Sequence, residues 1–229
     1  AGLATVDAAG AITRLREVGK VQNLVKAVER APMSSGTGIA HTRWATHGKV
    51  TADNAHPHLS TFGDADRAVC LVHNGIIENH VALRGELQGL GYTFTSQTDS
   101  EVIVHLIHSY LSQALDLLEA VRQAVRRLEG AYALAVIASA ENERIIAARR
   151  GCPLILGKGI GENFLASDVL ALRAVTDRFI YLEEGDLVDL RPDRIDIWNI
   201  DDASVIRADV RVEIEADDME RGNYRHFMQ

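Results

Sequence analysis

Gly38-Ile39-Ala40-His41-Thr42-Arg43-Trp44-Ala45-Thr46-His47-Gly48 joins a short apolar run to an arginine, a tryptophan, threonines and histidines. The run reads as a strand over residues 37–42 that empties into polar chain. Two readings fit the stretch alone. It is a core strand meeting solvent, with Arg43 hydrated and Trp44 covering apolar surface, or a strand that carries binding groups to the mouth of a pocket. His73-Asn74-Gly75 and Ser96-Gln97-Thr98-Asp99-Ser100-Glu101, equally dense in polar groups, favour the second reading.

Upstream, residues 2–6 and 11–16 are strand-like on either side of Asp7-Ala8-Ala9-Gly10, a hairpin pattern. Val21, Leu24, Val25 and Val28 recur at helical spacing until Pro32. Downstream, residues 43–66 form a long polar connection, of the length that functional loops reach. Residues 67–73 are a buried-strand run closed by Asn74-Gly75. Leu83, Leu87 and Leu90 place a helix that Gly91 stops. Val102, Ile103, Leu106, Ile107, Tyr110 and Leu111 trace another, and Leu117, Leu118, Val121, Val125 and Leu128 a third, ended by Gly130.

From there the pattern is of strands: residues 132–138, 144–150, 154–157, 163–166, 178–182, 187–190 and 195–198. Asp168 is placed to cap a short helix near Val169. Strands, then helices, then strands predict an α+β fold with mainly antiparallel sheets. The expected domain covers residues 1–209, and the acidic, then polar, residues 210–229 read as a tail or linker.

With 229 residues, 47% hydrophobic and 24% charged, the composition is that of a globular protein. A net charge of -8 without any basic run argues against a nucleic-acid partner. No apolar stretch is long enough to span a membrane. Two cysteines, Cys70 and Cys152, make no disulfide framework and point to a reducing cytoplasm. The first residues, Ala1-Gly2-Leu3-Ala4-Thr5-Val6, lack an initiating methionine and read as a strand already under way, so a chain cut at its front is expected.

Arg43 and Asp99 can hold opposite ends of a free amino acid, a guanidinium fork on the α-carboxylate and a carboxylate on the α-ammonium. They can equally form a surface ion pair with each other, worth less than about 1 kcal/mol. Asn74-Gly75 is a preferred pair for a tight hairpin turn. The same two residues can build an oxyanion hole from a side-chain amide and a backbone N–H, with glycine admitting close approach. Six of the nine histidines lie between His41 and His80. That density raises a metal-hydrolase reading, but the spacings match no zinc pattern, so no metal site is expected. Gly157-Lys158-Gly159-Ile160-Gly161 fits neither a P-loop nor a dinucleotide fingerprint.

Taken in order, the opening stretch, Asn54-Ala55-His56-Pro57-His58, His73-Asn74-Gly75-Ile76-Ile77-Glu78-Asn79 and Thr98-Asp99-Ser100-Glu101-Val102 carry a resemblance. Gly161-Glu162-Asn163-Phe164-Leu165-Ala166-Ser167-Asp168 and Leu182-Glu183-Glu184-Gly185-Asp186 complete it. The chain resembles the glutaminase domains (class II glutamine amidotransferase) of the glutamine–fructose-6-phosphate aminotransferase, or glucosamine-6-phosphate synthase, family. The resemblance implies an N-terminal-nucleophile hydrolase fold, a four-layer αββα sandwich. It implies that Arg43, helped by Thr46 and His47, holds the glutamine α-carboxylate and Asp99 the α-ammonium. Asn74 and Gly75 would form the oxyanion hole, and Trp44 would close over the substrate.

Ammonia from L-glutamine would pass to fructose 6-phosphate in a sugar-isomerase domain of the same polypeptide, giving glucosamine 6-phosphate for amino sugar biosynthesis. No cofactor is implied, the location is cytoplasmic, and the full-length enzyme is expected to be a homo-oligomer. The family's chains start at a nucleophilic cysteine whose own amine is the base. Ala1 matches a position downstream of it, and residues 210–229 match the start of the linker to the isomerase domain. The chain by itself is therefore expected to be inactive. The alternative is a catalytically dead glutamine-sensing module.

Overall fold

The computed structural model describes residues 1–43, 51–61, 67–113, 115–139 and 141–212. Trp44, Thr46 and His47, three of the expected substrate-binding residues, lie outside the described residues, as do positions 213–229.

The elements run β1 (Gly2–Val6), β2 (Ile12–Arg16), α1 (Val21–Arg30), β3 (Thr37–His41), β4 (His58–Ser60), β5 (Val69–Ile77), α2 (His80–Gly89), α3 (Ser100–Leu111) and α4 (Leu117–Arg127). There follow β6 (Gly130–Ala138), β7 (Ile145–Arg150), β8 (Ile155–Lys158), β9 (Asn163–Ala166), a 3-10 turn (Val169–Ala171), β10 (Arg178–Tyr181), β11 (Leu187–Leu190), β12 (Ile195–Trp198), β13 (Ser204–Val205) and β14 (Asp209–Arg211). The central sheet is seven-stranded, ordered β13-β12-β11-β7-β6-β5-β4. A three-stranded sheet β2-β1-β3 and a four-stranded sheet β14-β10-β8-β9 accompany it. Every strand pairing in the three sheets is antiparallel.

The two-residue period of a strand sends alternate side chains to opposite faces, and β6 shows what that does here. Tyr132, Leu134, Val136 and Ala138 join the core with α2, α3 and α4. Ala135 and Ile137 pack on Ala4 of β1 and Ile39 of β3. Ala133 meets Leu156 of β8 and Ile180 of β10. The seven-stranded sheet thus has helices on one face and the smaller sheets on the other, and α1 packs on β2 to complete the sandwich.

α4 follows the amphipathic rule, burying Leu117, Ala120, Val121 and Ala124. Its N-cap Asp116 accepts from the Glu119 amide at 2.8 Å. α3 is different, because every residue from Ser100 to His108 is buried. It lies against α2, α4, β4 and β5. Ile103, Leu106 and Ile107 are among its fully buried side chains, each contributing about 1.5–3 kcal/mol through burial.

The structure corrects three local expectations. Asn74-Gly75 does not end a strand in a turn: β5 runs on to Ile77, with Asn74 opposite Ala133 and Gly75 opposite Tyr132. Long-range pairing with β6 overrides the turn preference of the dipeptide. The connection over residues 43–66 contains a strand, β4, which is the edge of the central sheet. Val210 and Arg211 belong to β14, held on β10 by pairing that the local sequence does not signal. The short helix near Val169 is a 3-10 turn in which Asp168 Oδ1 accepts from the Leu170 amide at 2.8 Å.

Candidate functional site

Strand alternation decides where the polar residues of β5 go. His73 faces α3, where its Nδ1 lies 2.9 Å from Ser100 Oγ. Asn74, the next residue, faces the β1-β3 side, and its Oδ1 is 2.7 Å from His41 Nε2 at the end of β3. Gly75 is exposed with φ +127°. Its backbone approaches β6 so closely that a Cβ would stand 2.0 Å from the Ala131 carbonyl oxygen. Glycine is required at this position on both counts.

Asp99 sits one residue before α3, half-buried, and its Oδ2 accepts the Ile77 amide at 2.8 Å. The carboxylate is thereby tied to the far end of the strand that carries Asn74 and Gly75. The segment leading to it is fixed from several sides. Glu101 Oε1 accepts from the Thr95 amide at 2.8 Å and the Thr95 hydroxyl at 2.9 Å. Its Oε2 accepts from both the amide and the hydroxyl of Ser96, at 2.7 Å each. Burial pushes the Glu101 carboxyl up, but hydrogen bonds from His105, Thr95 and Ser96 outweigh it and hold the group well below the usual carboxylate range. Asn54 Oδ1 accepts the Gln97 amide at 2.9 Å, and Arg84 donates to the Thr98 carbonyl at 3.0 Å.

The histidines occupy the space between these parts. His56 Nε2 and His73 Nδ1 both lie 2.9 Å from the one hydroxyl of Ser100. The His56 ring is 4.3 Å from that of His41 and 4.8 Å from that of His58. His58 Nε2 is 3.1 Å from Thr98 Oγ1. Burial pushes all four imidazoles below their usual range, His58 to about 3 and His73 to about 4. They are neutral groups whose partners are hydroxyls and an amide. Among the described residues no cluster of His, Cys, Asp or Glu has the arrangement to hold a metal ion.

Arg43 is half-buried two residues beyond His41, and its positive charge adds to burial in lowering both His41 and His56. Asn74 and Gly75 thus lie in β5 with Asp99 bonded to that strand's last residue, while the charge of Arg43 acts on His41, the partner of Asn74, and on His56. Reasoning from sequence passed over His41, His56 and Ser100 as parts of this site. For His41 and His56 the signal in the sequence is the histidine density itself, which reflects hydrogen bonding to hydroxyls and an amide. Of the two cysteines, Cys70 is wholly inside β5 and burial pushes its thiol up to about 12. Burial also raises Cys152.

Residues 41–174 match the family described as glutamine amidotransferase domain. The chain is 54% identical over 228 residues to the glutamine–fructose-6-phosphate aminotransferase (isomerizing) of Pseudomonas putida, covering 100% of this chain and 36% of that protein. Identity to the protein of the same name from Escherichia coli K12 is 51% over 229 residues, covering 100% and 37%. The chain therefore spans little more than a third of the length of these relatives. Among solved structures, glutamine phosphoribosylpyrophosphate amidotransferase from B. subtilis superposes with a TM-score of 0.73 at 23% identity, over 87% of this chain and 42% of that one. At that identity the likeness speaks for the fold, the N-terminal-nucleophile type of α+β sandwich.

Proposed function

The chain belongs to the glutamine amidotransferase domain family, and on that premise we propose that it is the glutamine-hydrolysing part of a glutamine–fructose-6-phosphate aminotransferase. The supporting observation is the tie between the Asp99 carboxylate and the Ile77 amide, which sets an anion three residues along one strand from Asn74 and two from Gly75. In this reading Asp99 holds the α-ammonium of L-glutamine. Arg43, with Thr46 and His47, holds the α-carboxylate, and Trp44 covers the substrate. The side-chain amide then faces Asn74 and Gly75, whose N–H groups stabilise the oxyanion of the tetrahedral intermediate. Released ammonia passes to fructose 6-phosphate in a sugar-isomerase domain of the same polypeptide, reached through a linker that follows β14. The polypeptide works as a cytoplasmic homo-oligomer. Among the described residues no helix is long and apolar enough to cross a membrane.

Attack on an amide needs a thiolate or an activated hydroxyl. Burial raises both thiols of this chain, which argues against Cys70 and Cys152 as the nucleophile in this reading.

The decisive experiment supplies the full-length polypeptide with L-glutamine and fructose 6-phosphate and measures glutamate and glucosamine 6-phosphate. Binding of glutamine without turnover would replace the enzyme reading with that of a sensing module. Within the same assay, Asp99→Asn keeps an acceptor for the Ile77 amide and removes the charge. It should weaken glutamine by about 2 kcal/mol, roughly 30-fold in KM, at the low end for a charge pair losing one member. An unchanged KM would discard the ammonium clamp.

A further inference from the structure

We propose that His41 is a positioning residue for the oxyanion hole, fixing the rotation of the Asn74 amide so that both of its N–H groups face the substrate. This rests on the glutaminase reading given above.

An asparagine amide is useful in an oxyanion hole only in one of its two flips, since the other presents a carbonyl oxygen to the developing negative charge. The two flips fill nearly the same volume, so packing alone selects poorly between them. Selection requires a hydrogen-bonding partner of fixed polarity. His41 Nε2 lies 2.7 Å from Asn74 Oδ1, so in this arrangement Nε2 carries the proton and donates. Oδ1 is then engaged, and Nδ2 points away from the ring. His41 Nδ1, the bare nitrogen, is buried without a partner among the described residues.

The ring cannot swing away from this task. It is tilted at 43° against the His56 ring at a centroid distance of 4.3 Å. His56 is in turn fixed by Ser100 Oγ at 2.9 Å, on the residue that follows Asp99. His41 also ends β3, whose register with β1 sets Gly2 opposite it. The donor is thus anchored by two separate elements, while the amide it orients belongs to a third.

The test uses the full-length polypeptide and steady-state glutamine hydrolysis. His41→Leu should lower kcat about 10- to 100-fold with KM within about threefold, short of the 10²–10³ that loss of an oxyanion donor itself costs. His41→Gln sets an amide N–H near the position of Nε2 and should restore most of the turnover. His41→Asn reaches only as far as Nδ1 and should not. His41→Leu combined with Asn74→Ala should lose no more than Asn74→Ala alone, because one residue acts through the other.

If His41→Leu fails to fold, the contrast between Gln and Asn decides. Unchanged kcat in His41→Leu, equal losses in Gln and Asn, or additive losses in the double variant would overturn the proposal and leave the glutaminase reading intact. A wild-type polypeptide that does not hydrolyse glutamine removes that reading, and this proposal with it.

Discussion

Lowering the pH from about 7.5 to about 5 is expected to strip about 4 kcal/mol of folding stability from this domain. The cause is the set of buried neutral histidines. His58 and His73 have pKa values of about 3 and about 4 in the folded chain, against an ordinary value of 6.5. Above 6.5 they are neutral whether the chain is folded or not, and pH has no leverage through them. Below it the unfolded chain takes up protons that the folded chain refuses, so stability falls with pH, each group contributing until its own folded value is reached. At about 1.4 kcal/mol per unit, each histidine costs about 2 kcal/mol by about pH 5. His56 acts in the same direction, and Glu101, held low by its hydrogen bonds, adds to the loss only below the ordinary carboxylate value of 4.5. A loss of that size is a large fraction of the roughly 5–15 kcal/mol that holds a domain together. Urea unfolding followed by circular dichroism at the two pH values measures it directly. Replacing His58 and His73 together by Gln should flatten the dependence, and equal unfolding free energies at both pH values in the wild type would contradict the account.

Gly75→Ala should be the most damaging single methyl in the site, costing about 4 kcal/mol or more. Two penalties add. A φ of +127° is one that L side chains rarely adopt, worth about 1–3 kcal/mol by itself. The added Cβ would also stand 2.0 Å from the Ala131 oxygen and 2.7 Å from its carbonyl carbon. Backbone cannot rotate aside as a flexible side chain can, so β5 must part from β6 where the two strands carry Asn74 and Tyr132. The expected result is a lower urea midpoint together with loss of the oxyanion hole in the full-length polypeptide. Gly85→Ala is the control, because a Cβ there meets nothing within 4 Å. It lies inside α2, where alanine is favoured. Equal stability of the Gly75 and Gly85 variants would show that the close approach of the strands does not constrain position 75.

Several elements could be read before any coordinates, and for physical reasons that act locally. Val102, Ile103, Leu106 and Ile107 marked α3 because a helical face repeats every three or four residues whatever it packs against. Asp168 declared its cap through a side-chain oxygen that needs only its neighbours. Asn74-Gly75 misled for the converse reason. A turn preference of short range competed with a nine-residue pairing to β6, and the partner strand begins more than fifty positions away in the chain. β4 was hidden because three residues carry no period.

What the sequence determined by itself was the family and the chemical inventory: a guanidinium, a carboxylate, an amide beside a glycine, and a crowd of imidazoles. Tertiary structure decided their assignment. His73 and Asn74 are neighbours in sequence, yet the pleat of β5 turns one to Ser100 on α3 and the other to His41 on β3. Only the folding of three separate segments onto that strand determines which histidine meets a hydroxyl and which holds the amide, since a hydrogen bond depends on ångström distances that linear spacing does not fix.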